Sequence, residues 1–113
     1  MPTIEIIHNP RCSKSRAALE LLNKKGLSPE VTEYMKNPLS AAQLEQISHK
    51  LGLKPSQFVR QGEYSKLGIE IAGSEEGILK QMVEYPILIE RPIVIKGDKA
   101  RLGRPTESIL EII

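Results

Sequence analysis

The chain's one cysteine, Cys12, follows Arg11 and is followed by Ser13, Lys14, Ser15 and Arg16, so cations surround a thiol at close spacing. Positive charge favours the thiolate, which is the nucleophilic form. The same surroundings attract a tetrahedral oxyanion. A phosphatase cradle of similar shape needs an arginine six positions after the nucleophile, where Ala18 stands. A dithiol redox centre needs a second cysteine three positions on, where Ser15 stands. Cys12 therefore completes a redox cycle only with a thiol from outside the chain. The competing role, a small buried hydrophobe, ranks second because the neighbours are polar and basic.

The elements around Cys12 support this reading. Residues 3–7 alternate, with Ile4 and Ile6 on one face, and lead as a strand into the loop His8-Asn9-Pro10. A helix follows over 13–25, carrying Ala17, Ala18, Leu21 and Leu22 at helical spacing, and Gly26 stops it. Cys12 thus lies where unpaired N–H groups and the positive end of a helix point at the sulfur. Beyond it the sequence predicts a short extended run over 30–34 and a helix to about Leu51, opened by a Ser40/Gln43 capping box and lined by Leu44, Ile47 and Leu51. A short turn at Pro55 carries Phe58 and Val59, and Gly62 reads as a break. A further helix begins at Ser74 with Ile78, Leu79, Met82 and Val83 inside. Lys96-Gly97-Asp98-Lys99 predicts a hairpin joining strands 93–96 and 99–102, and 106–113 has room for a last helix. The order β-α-β-α-α-β-β-α predicts an α/β fold with a mixed four-stranded sheet flanked by helices, the thioredoxin-like layout.

At 113 residues the chain is expected to form a single domain over 1–113. With 40% hydrophobic and 27% charged residues it has a globular composition, and one cysteine excludes an intrachain disulfide scaffold. Sixteen basic against fourteen acidic residues give +2, too small a charge to point to nucleic acid. No apolar run approaches the roughly 20 residues needed to span a bilayer, so no membrane partner and a cytoplasmic location are expected. There is no Cys/His cluster for a metal, and no bound cofactor is expected.

Taken in order, several segments resemble the glutaredoxin-coupled arsenate reductases of the ArsC family. His8-Asn9-Pro10-Arg11-Cys12-Ser13-Lys14-Ser15-Arg16 is similar to that family's active-site loop, in which one Cys follows an HNP segment and precedes a helix opening on an SR pair. Phe58-Val59-Arg60 with Glu63, Tyr64 and Leu67-Gly68 resembles its middle segment. Tyr85-Pro86-Ile87-Leu88-Ile89-Glu90-Arg91-Pro92-Ile93-Val94 resembles its PILI-x-RPI run, and Arg101-Leu102-Gly103-Arg104-Pro105 its closing segment.

The resemblance implies that Cys12 is the nucleophile, that Arg60, Arg91 and Arg104 hold the arsenate oxyanion, and that His8 and Ser15 support the thiolate. Guanidinium suits that task because its fixed fork of donors grips two oxygens and stays charged. It also implies glutathione as co-substrate, glutaredoxin as the protein partner, and a cis Pro92 beside the site. Arg16 could pair with Glu20 or sit near the sulfur, and His49 reads as surface. Two alternatives remain: a regulatory protein like the Spx group, which typically carries the C-x-x-C that Ser15 breaks, and a glutathione-linked thiol oxidoreductase with a substrate other than arsenate.

Overall fold

β1 (Ile4–His8) is more apolar than a half-exposed strand requires: Ile4, Ile6, Ile7 and His8 are all buried. A strand buried on both faces belongs inside a sheet, and β1 lies there, in the strand order β2-β1-β3-β4. The structure, a computed structural model, describes residues 3–113. Its contacts divide the chain into two compact units, residues 1–37 with 91–113, and residues 38–90.

The first unit contains the whole sheet. β2 (Glu30–Glu33) pairs parallel with β1, from Glu5 opposite Glu30 to His8 opposite Glu33. The twelve-residue helix α1 (Ser13–Lys24) links these two parallel strands. β3 (Ile93–Lys96) runs antiparallel to β1, with Ile7 opposite Ile93. β4 (Lys99–Leu102) closes the expected hairpin through Gly97, which takes φ 61°, a turn conformation that costs glycine little. Ile4, Ile6, Ala18, Leu22, Val94, Ile109 and Ile112 form one apolar cluster between β1, β3, α1 and the C-terminal segment. The result is the mixed, thioredoxin-like sheet expected from the sequence. The last element differs: Thr106–Glu111 winds as a 3-10 helix rather than an α-helix. It packs on α1 and β4 and is tied to the sheet by Arg101 Nε donating to Glu111 at 2.8 Å.

The second unit is helical. α2 (Ala41–Leu51) starts at the predicted capping box: Ser40 Oγ accepts the Gln43 N–H at 3.1 Å and Gln43 Oε1 accepts the Ser40 N–H at 2.8 Å. α5 (Glu75–Glu84) packs against both α2 and α3 (Pro55–Phe58), and Leu44, Ile47, Phe58, Ile78 and Met82 are buried. Gly62 does not end an element. It opens α4 (Gly62–Leu67), whose buried Tyr64 donates its hydroxyl proton to Gln81 at 2.7 Å. A short antiparallel ribbon pairs Val59 with Ile89, the Arg60 N–H reaching Leu88 O at 2.7 Å. No helix among the described residues is long and apolar enough to cross a membrane.

Candidate active site

Hydrogen bonds of the loop from β1 to α1 and of the first turn of α1 build the surroundings of Cys12. Asn9 Oδ1 accepts the Arg11 N–H at 3.0 Å, and Asn9 O accepts the Cys12 N–H at 3.0 Å, so the chain turns tightly before the helix. Ser15, fully buried in the first turn of α1, places its Oγ 2.6 Å from His8 Nδ1 and accepts the Asn9 N–H at 3.0 Å. Arg16 folds back to donate from Nη1 to Pro10 O at 2.9 Å. This replaces the pairing with Glu20 considered from the sequence, because Glu20 instead pairs with Lys24 at 3.4 Å. Cys12 itself is the N-cap of α1 and is partly exposed.

Burial works to raise the Cys12 pKa, and the surrounding positive groups outweigh it. The Ser15 N–H, the Arg91 guanidinium and the Lys14 N–H together bring the thiol below its ordinary value. The two amides act as partial positive charges facing the sulfur, without a side-chain cap hydrogen bond of regular geometry. Ser15 therefore acts on the sulfur through its backbone, while its hydroxyl is engaged by His8 and Asn9. Burial is also the main cause of a lowered His8 pKa, with Glu33 opposing and Arg16 reinforcing it. Burial thus favours the neutral imidazole of His8.

Two of the three expected arginines meet at this sulfur. Arg104 Nη2 lies 3.8 Å from Cys12 Sγ, and Arg104 Nε donates to Arg91 O at 2.8 Å. Arg91 faces the same sulfur and the phenol of Tyr34, and these two partners outweigh its burial to raise its own pKa. Pro92 is cis, as is Pro105. Arg60 belongs to the second unit, where its guanidinium lies 3.3 Å from Glu63 and 4.0 Å from Glu90.

Two contributors escape a reading by residue type. Asn9 belongs by sequence to the strand-ending loop, and an Asn two positions before Arg11 is the ordinary signature of a side-chain turn. By sequence Tyr34 is only the end of an extended run. It is fully buried one residue beyond β2, at the same end of the sheet as the Cys12 loop, which leaves its phenol beside Arg91.

The first unit thus offers a partly exposed thiol held toward its anionic form, with guanidinium donors around the sulfur. That arrangement can attack an electrophile carrying negative oxygens. Among the described residues no group of three or more His, Cys, Asp or Glu side chains could hold a metal ion.

The chain's similarities extend past this loop. The profile of the ArsC family matches residues 7–112. An Escherichia coli K12 protein, the uncharacterized protein YfgD, is 45% identical over 97% of this chain and 96% of its own. The arsenate reductase of Neisseria meningitidis serogroup A is 41% identical over the full length of both. A solved structure named as an arsenate reductase from Vibrio cholerae superposes with a TM-score of 0.88 and 38% identity, covering 99% of this chain and 98% of the other. Such agreement along the whole length is more than a shared layout, and the chain belongs to the ArsC family.

Proposed function

We propose that the protein is an arsenate reductase that uses Cys12 as its nucleophile. The Cys12 thiolate attacks arsenic(V), a sulfur–arsenic bond forms, and an oxygen protonated to water leaves. Arg91 and Arg104 hold the remaining oxygens as charge shifts onto them. The thiolate of glutathione then attacks the Cys12 sulfur. The sulfur–arsenic bond breaks with its electron pair passing to arsenic, which leaves as arsenite, and Cys12 is left in a mixed disulfide with glutathione. Glutaredoxin attacks the glutathione sulfur of that disulfide and frees Cys12 as thiolate. External thiols are required at both stages because the chain contains no second cysteine.

The observation that carries this reading is Arg104 Nη2 at 3.8 Å from Cys12 Sγ with Arg91 facing the same sulfur. Fork-shaped donors around a thiolate suit an oxyanion electrophile better than a neutral one. Names of full-length relatives support the choice of arsenate. The test is NADPH consumption through glutathione reductase, glutathione and glutaredoxin, with arsenate present or omitted. An arsenate-dependent rate that disappears in Cys12→Ser is expected. No arsenate-dependent rate would sink the substrate, and a rate surviving Cys12→Ser would sink the nucleophile.

A further inference from the structure

Asn9 takes part in three of the hydrogen bonds that shape the loop before Cys12. Its side-chain Oδ1 accepts from Arg11 N–H, its carbonyl accepts from Cys12 N–H, and its own N–H donates to Ser15 Oγ, each at 3.0 Å. The residue is buried, so water does not compete well for these bonds. Their combined effect is selective. The Arg11 and Cys12 amides are turned back onto Asn9, whereas the Lys14 and Ser15 amides are the ones that act on the sulfur. The third bond fixes Ser15, whose amide is one of that pair.

We propose that Asn9 is a positioning residue for the Cys12 thiolate, holding the Arg11 and Cys12 amides and the Ser15 hydroxyl so that the sulfur stays over the first-turn amides of α1. The proposal rests on Cys12 as the reacting thiolate and not on arsenate as its electrophile. Without the Asn9 side chain the Arg11 N–H loses its acceptor, and the turn that sets the Cys12 backbone relaxes. The sulfur then drifts from the Lys14 and Ser15 amides and its pKa rises. Arg91 and Arg104 reach the sulfur from the residues before β3 and after β4, outside the loop that sets the Cys12 backbone.

The test is alkylation of the full chain by iodoacetamide across pH, for the native protein, Asn9→Ala and Asn9→Ser, with the melting temperature of each measured alongside. Asn9→Ala is expected to move the profile upward by about one pH unit, which makes alkylation roughly tenfold slower below both midpoints. Asn9→Ser supplies a hydroxyl that accepts the same N–H more weakly, and recovers part of the shift. A lowered melting temperature with an unmoved profile means a structural role only and overturns the proposal. Should Asn9→Ala fail to fold, the Asn9→Ser profile decides: an upward shift supports the proposal and coincidence with the native curve overturns it. The readout contains no arsenate, so failure of the arsenate assay and failure of this proposal are separate results.

Discussion

Removing a cation from beside a thiolate raises the thiol's pKa, and the effect grows as the cation is more buried. Arg91 and Arg104 differ in this respect. Arg91 is half-buried and acts on Cys12 through both charge and a directed donor, whereas Arg104 is exposed and reaches the sulfur only at 3.8 Å. Arg91→Ala is therefore expected to raise the Cys12 pKa and slow its alkylation at neutral pH. Arg104→Ala raises it by less, since solvent screens its charge. The sign follows from the form stabilised: each guanidinium favours thiolate, so each loss shifts reactivity to higher pH. Iodoacetamide rates across pH check this, and equal shifts for the two variants would overturn the ranking. Cys12 was legible from its own loop, which with the first helical turn also brings His8 and Ser15 close, two residues that only the family resemblance selects. Arg91 and Arg104 were not, because nothing local distinguishes either from a solvated surface arginine, and only the family resemblance selected them.

The hairpin does what those arginines could not signal alone. Pairing Ile93 with Leu102 sets the residues before β3 beside those after β4, and this lets Arg104 Nε reach Arg91 O. The hairpin itself was legible from Gly97-Asp98 following the Ile/Val-rich run 93–95, so the element was readable even where its consequence was not. The short helix α4 was not readable. It spans six residues and opens on a glycine, and it is held by Tyr64 bonding to Gln81 on α5, a contact that no periodicity reveals. The 3-10 winding of Thr106–Glu111 is likewise set by its packing on α1 and β4 rather than by a local stop signal. By contrast, α2 begins where its capping box predicts. Ser40→Ala removes the acceptor for the Gln43 N–H and should destabilise the protein by about 1 kcal/mol, measured by urea unfolding. Because α2 belongs to the second unit, the alkylation profile of Cys12 should not move, and a shifted profile would show that the two properties are linked.

At the scale of the whole chain, the helical unit is inserted between Asn37 and Arg91 of the sheet-bearing unit. The groups that shift Cys12, namely the Ser15 and Lys14 amides and Arg91, all belong to the sheet-bearing unit. Arg60 belongs to the inserted one. Its part in arsenate use comes from the family resemblance, while its observed partners are Glu63 and Glu90, with Lys66 sharing Glu63 at 3.5 Å. The two roles make different demands on Arg60→Ala. A purely internal role leaves arsenate kinetics alone and costs stability, since Glu63 and Glu90 are largely buried and would lose a compensating charge. A role in holding the oxyanion removes a charge-assisted hydrogen bond of about 1.5–3 kcal/mol. That corresponds to a loss of roughly tenfold to a hundredfold in arsenate kcat/KM. The family resemblance favours the second result, and in either case the Cys12 alkylation profile should stay unmoved, because the groups that shift it belong to the sheet-bearing unit. Arg60→Lys should recover only part of the kinetic loss, since an ammonium keeps the charge and loses the fork. Unchanged arsenate kcat/KM in Arg60→Ala, with weaker resistance to urea, would confine Arg60 to the ion pairs of its own unit and leave arsenate to Arg91 and Arg104.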